Sequence, residues 1–122
     1  LAQSLCVPDA HLIALLPSLE GLIVPSKFYG IAAAGRPTLF IGDKQGEIGA
    51  LIERHRCGIS IAPGDSQGLA AAIVRLAAAP DLVSDMGERA RRLFDSEFDI
   101  ATACSRWSKI LLENPPPLTH RP

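Results

Sequence analysis

A chain of 122 residues, 48% of them hydrophobic and with a net charge of −1, carries apolar material for one small domain or for part of a larger one. The near-neutral balance argues against a nucleic-acid partner, which asks for a basic face. Aromatic residues make up only 5%, too few for a base-stacking platform. No apolar run is long enough to cross a bilayer and no secretory leader pattern is seen, so a cytoplasmic setting is expected. Cys6, Cys57 and Cys104 are odd in number and widely spaced, which suits free thiols in a reducing compartment better than a disulfide framework or a zinc site. His11, His55 and His120 are equally scattered, and no metal site is expected.

In chain order, "LAQSLCVPDA" reads as the end of a helix already under way, and the whole as the tail portion of something longer. "AHLIALLP" (Ala10 to Pro17) is bounded by proline turns and predicts a buried strand. "GLIV" (Gly21 to Val24) is a second, shorter apolar piece. Ser26 is placed to cap a helix from Lys27 to Ala34, with Gly35 to end it and Pro37 to prevent its return. "TLFIG" (Thr38 to Gly42) predicts a buried parallel strand. In "EIGALIERHR" (Glu47 to Arg56), Ile48, Leu51 and Ile52 recur at helical spacing, and Gly58 follows as a stop. "ISIA" (Ile59 to Ala62) is a third strand. Asp65 or Ser66 caps a helix through "LAAAIVRLAAA", Pro80-Asp81 breaks it, and "DLVSDMGERARRLFDSEF" forms the next helical stretch. "ATACSRWSKILLE" is a final amphipathic helix, and the proline-rich residues 114–122 are expected to form a disordered tail.

Strands alternating with helices predict an α/β fold with a parallel sheet covered on both faces. Three strands are too few for a complete doubly wound domain. The expected architecture is therefore a partial doubly wound sheet, the second half of a Rossmann-like domain, followed by C-terminal helices that pack back over it.

Two loops in this plan follow strand ends, where ligands of open parallel sheets bind. At Ser26-Lys27 a helix start offers unpaired amides and partial positive charge, to which Lys27 adds a full charge. The same residues also describe a plain capped helix with a solvated lysine. "GDKQGEIG" faces the same crevice, and Glu47 there is favoured by the helix dipole whether or not it binds anything. Glu20 is either an acceptor for a ligand hydroxyl or a loop carboxylate in water. "GERARR" (Gly87 to Arg92), with Asp85, Glu88 and Asp95 on the same helix, suggests paired surface charges. No residue can be named as catalytic.

The order of these segments resembles the nucleotide-sugar-binding domain of GT-B glycosyltransferases of the large retaining family 4, above all the colanic-acid and O-antigen type. "LEGLIVPSKFYGIAAAGRPTLFIGDKQGEIGALIERHRCGISIAPGD" carries the resemblance, with "LAAAI", "MGERARRLF" and the Trp107 helix following in order. It covers residues 1 to 113 and implies a partial donor-binding domain over that range. It also implies that Gly21 to Lys27 approaches the donor diphosphate, with Ser26 and Lys27 as side-chain contacts. Tyr29 and Gly30 would run under the nucleoside, and Gln45, Gly46 and Glu47 would form the second crevice loop. Glu20 lies displaced from the first glutamate such enzymes carry. Gly30 stands where a second, ribose-binding glutamate is expected. The substrate implied is a UDP- or GDP-linked sugar, with no separate cofactor. The implied partners are a saccharide acceptor, in one form lipid-linked at the inner membrane face, and a missing N-terminal portion of the same enzyme. The segment alone is then expected to be inactive. The alternatives are a non-catalytic phosphate- or nucleotide-binding module and a structural half-domain.

Overall fold

A computed structural model of the protein describes residues 2–113; the expected proline-rich tail lies outside the described residues. Three short strands, β1 (His11–Ala14), β2 (Thr38–Ile41) and β3 (Gly58–Ile61), form a parallel sheet in the order β1-β2-β3. His11 pairs with Thr38 and Thr38 with Gly58, and the register runs unbroken to Ala14, Ile41 and Ile61. The α/β class and the partial, Rossmann-like character of the sheet are those expected.

Helix α2 (Lys27–Ala33) joins β1 to β2, and α3 (Glu47–His55) joins β2 to β3. Both pack on one face of the sheet, where Phe28, Ile31, Ile48 and Ile52 meet Ile13, Leu15 and Phe40. Helix α4 (Ser66–Ala78) lies on the other face, with Ala72 and Leu76 against Leu39 and Ile61. Helix α5 (Pro80–Leu93) serves both layers, giving Met86 to the α4 side and Ala90 and Leu93 to the α2 and α3 side. Alternation along β2 explains the two cores: Thr38 and Phe40 face one layer, Leu39 and Ile41 the other. A short α1 (Ala2–Cys6) precedes β1 and is tied to the sheet by the His11 ring, 2.9 Å from the Leu5 carbonyl.

The helix ends show how local sequence chooses its partners. Gly35 ends α2 at φ +65°, with its amide donating to the Ala32 carbonyl and that of Arg36 to Ile31, the paired bonds of a Schellman stop. Asp65 rather than Ser66 caps α4, accepting from the Gly68 amide at 2.8 Å. Ser26 does not cap α2 as expected. The amides of Phe28 and Tyr29, which its hydroxyl would take, already donate to the Pro25 and Ser26 carbonyls at 2.9 and 3.2 Å. Gly58 is not the stop of α3 either. Arg56 takes the left-handed conformation, φ 52°, while Gly58 opens β3 with its Cα so close to the Thr38 carbonyl that any Cβ would overlap it.

The C-terminal helices follow the expectation only in part. A π-helical turn, Phe94–Phe98, separates α5 from α6 (Ile100–Glu113). Helix α5 packs back over the sheet, but α6 buries none of its residues and leaves Trp107 64% exposed. The charges of "GERARR" do pair: Arg89 with Asp85 at 2.6 Å and Arg91 with Asp95 at 2.9 Å.

β2 is the mechanical centre, because both its edges and both its faces are covered. Phe40 is fully buried there. Phe40→Ala is expected to lower stability by about 3–5 kcal/mol in denaturant unfolding, and a loss below about 1 kcal/mol would contradict this packing.

Candidate functional site

Parallel pairing in one register brings the carboxyl ends of β1 and β2 side by side, so the loops that follow them are neighbours. The first, residues 15–26, contains a 3-10 turn (Pro17–Leu19) and then bends at Gly21, φ +78°. The second, residues 42–46, is a turn closed by the Asp43 side chain and carbonyl, which accept from the amides of Gln45 and Gly46 at 2.9 and 3.1 Å. Gly49 is required beneath it, since a Cβ at that position would overlap the Asp43 carbonyl.

One side chain joins the two loops. Glu20 reaches across and accepts the Glu47 amide at 2.7 Å, so a carboxylate occupies the first turn of α3 and complements its dipole. Gly46 makes this possible, because a Cβ there would overlap the Glu20 carboxylate. The other Glu20 oxygen, Oε2, is buried without a hydrogen-bond partner. From α2, Tyr29 donates its hydroxyl proton to Glu47 Oε1 at 3.0 Å. The Tyr29 ring stands edge-on to Phe28 and to Phe98 of the π-helical turn, centroids 5.7 and 4.8 Å apart. Burial, then the hydrogen bond and charge of Glu47, push the Tyr29 phenol up to about 12.

Of the residues singled out in the sequence, Glu20, Tyr29, Gly46 and Glu47 are therefore one connected group. Gln45 is exposed at the tip of the second loop, and Ser26 and Lys27 are exposed at the start of α2. Lys27 has no ion-pair partner among the described residues. Gly21 turns the first loop. Gly30 belongs elsewhere: a Cβ there would point at Leu5 Cδ1, 3.1 Å away, so the position expected to hold a ribose-binding glutamate packs against α1. The apolar piece Leu22, Ile23 and Val24 does not enter the core; its side chains are 75%, 52% and 48% exposed beside the site. Asp43, which shapes the second loop, was not singled out by sequence reasoning, though Asp two residues before Gln45 is an Asx-turn signal. Among the described residues no group of three His, Cys, Asp or Glu side chains comes together that could hold a metal ion. None of the helices described is long and apolar enough to cross a membrane.

No protein-family model matches the chain, and no solved structure matches it. Among curated proteins it is similar to the glycogen synthases of Mycobacterium tuberculosis strains CDC 1551 / Oshkosh and ATCC 25618 / H37Rv, at 30% identity over 109 residues in each case. These alignments cover 84% of this chain and 26% of each relative, so the chain spans about a quarter of the length of the curated relatives it matches.

Two measurements probe this geometry. Tyr29 is the only tyrosine in the chain, so ultraviolet titration reads it directly. It is expected to ionise at about 12 in the folded protein, against about 10 when unfolded. The stabilisation linked to the neutral phenol is then complete below the unfolded value and is lost as pH rises through the folded one. Glu47→Gln is expected to bring the Tyr29 transition down; a wild-type transition at the ordinary phenol value would contradict the contact. Glu20→Ala is expected to cost about 1 kcal/mol in urea unfolding, through the lost cap on α3. Gly46→Ala is expected to cost more, because it displaces the carboxylate and the loop together.

Proposed function

We propose that this chain is the donor-binding portion of a glycosyltransferase, taking a UDP- or GDP-linked sugar at the carboxyl ends of β1 and β2. The observation that carries this reading is the joining of the two strand-end loops by Glu20, with the exposed Lys27 directly after the first of them. Similarity to proteins named glycogen synthase supports sugar transfer as the general activity. The order of loops and helices quoted above supports the finer assignment to the retaining, polysaccharide-building type.

The chemistry divides the wall into two parts. Glu20 already fills the amide end of α3, and Glu47 adds a second carboxylate, so this part repels a diphosphate and accepts from hydroxyl groups. Lys27 stands at the exposed start of α2 and is the group suited to phosphate oxygens. In the proposed arrangement the diphosphate lies along Gly21 to Lys27, and the hydroxyl-rich sugar or ribose meets the exposed Gln45 and Glu47, while Glu20, one oxygen on the Glu47 amide and the other buried, holds the two loops together. Tyr29 fixes the Glu47 carboxylate from below. Lys27 would then stabilise the negative charge that develops on the leaving diphosphate, with no separate cofactor. Gly30 takes no part in ribose recognition in this arrangement, since its neighbour is Leu5.

The acceptor is a saccharide, in one form lipid-linked at the inner membrane face, and it would be held by an N-terminal portion of the same enzyme. The 122 residues alone are expected to bind donor without transferring sugar. Titration of UDP- and GDP-sugars against the protein and its Lys27→Ala variant tests the reading. One of the two nucleotide classes is expected to bind, and the variant to lose about tenfold in affinity, equivalent to about 1.4 kcal/mol. Equal affinity in the variant would remove Lys27 from the site. Absence of binding by both nucleotide classes would overturn the reading.

A further inference from the structure

A basin of a different character lies at the far end of α3 from the joined loops. Helix α3 has nine residues and so a length of about 13 Å. Glu47 opens it, and Arg54 and His55 stand in its last turn. There α3 meets α5. The two helices share the core through Leu51, Ile52, Ala90 and Leu93 and leave between them an open basin of about 710 Å³. Leu93, almost fully buried, forms its base. Arg54 lines it from α3; Arg89 and Arg92, three residues apart and therefore on one face, line it from α5.

Three guanidinium groups thus share the basin with one carboxylate, Asp95, and that carboxylate is already held by Arg91 at 2.9 Å. Arg89 donates to Asp85 at 2.6 Å and keeps the other donors of its fork. Arg54 and Arg92 are exposed and have no ion-pair partner among the described residues. His55 also lines the basin, but its Nε2 is buried and turned to Glu97 Oε1, 3.5 Å away, so that nitrogen offers nothing to a ligand. The Ser96 hydroxyl is spent on the Leu93 carbonyl at 3.1 Å. The carbonyl end of α3 brings about half a negative charge, too little to offset two free guanidiniums. Complementing that dipole accounts for Arg54. It does not account for Arg89, which lies before the last turn of α5, or for the convergence of cations from two helices on one hollow.

We infer that this basin is an anion site for a small soluble phosphate monoester, separate from the proposed donor site. Guanidinium forks match phosphate oxygens in pairs, and the two uncompensated charges of Arg54 and Arg92 match a dianion. The volume admits a phosphate with a small organic group attached. The surroundings select for size. Asp85, Asp95 and Glu97 lie beside the basic groups, so an extended anionic surface, such as a lipid leaflet, would meet these carboxylates as well. A compact anion seated between the arginines avoids them. The site does not rest on the sugar-donor reading, because it uses no residue of the joined loops.

Titration of the protein with glycerol 3-phosphate, followed by nuclear magnetic resonance of the arginine Nε–Hε groups, tests the inference. Saturable shifts of Arg54, Arg89 and Arg92 are expected, with glycerol itself giving none. Arg54→Gln and Arg92→Gln alter exposed side chains, and each is expected to weaken binding about tenfold. Arg75→Gln, on the exposed side of α4, is expected to leave it unchanged. Absence of saturable shifts at the three arginines would overturn the inference, and so would an equal loss in Arg75→Gln, which would mean unspecific attraction. Vesicles of anionic phospholipid are expected not to bind; vesicle binding that Arg54→Gln and Arg92→Gln abolish would assign the patch to a membrane and overturn the small-anion site. Lys27→Ala is expected to leave the shifts of the three arginines intact. Their disappearance in that variant would place the anion at the start of α2 instead. Nucleotide binding that survives in Arg92→Gln, or fails while glycerol 3-phosphate still binds, separates this site from the donor site.

Discussion

The double pairing of β2 is the constraint on which the other contacts depend. A strand hydrogen-bonded on both edges and packed on both faces has no freedom to slide, because a slip of one residue would exchange Phe40 for Leu39 between two differently shaped cores. Gly58 tightens the lock by bringing β3 against the Thr38 carbonyl. With the register held, β1 and β2 end level, and their loops leave the sheet as neighbours. Only then can a side chain in the first loop cap the helix that follows the second.

Glu20 illustrates how one side chain ties two loops that are distant in sequence. Its carboxylate satisfies a first-turn amide of α3 and complements the dipole of that helix, so the start of α3 carries a protein carboxylate where the start of α2 carries Lys27. Tyr29 continues the chain of contacts from Glu47 down to Phe98, so the π-helical turn between α5 and α6 supports the site from behind. Leu22, Ile23 and Val24 follow Glu20 in the same loop and are exposed.

The strands and most helices were legible because their signals are local. Apolar runs between turn residues marked β2 and β3, and the spacing of Ile48, Leu51 and Ile52 marked the buried face of α3. Gly35-Arg36-Pro37 ended α2 as read. What escaped depends on contacts distant in sequence or on competition between donors and acceptors. Ser26 has the right chemistry for a cap, but backbone carbonyls reach the same amides first. Gly58 looks like a helix stop because the close approach of β2 cannot be seen from β3 alone. The Glu20 contact with Glu47 spans two loops and a helix, so sequence could name both residues and not their meeting. The apolar stripe of α6 was readable, but its lack of a partner among the described residues was not.

The central claim is that a nucleotide-diphosphate sugar lies across the two joined loops. A crystal structure of the protein with bound UDP or GDP tests it most directly. The account predicts the diphosphate against Gly21 to Lys27, with a phosphate oxygen within hydrogen-bonding distance of Lys27 Nζ and a hydroxyl of the ligand facing Glu47. A nucleotide bound with its diphosphate remote from both loops would contradict it.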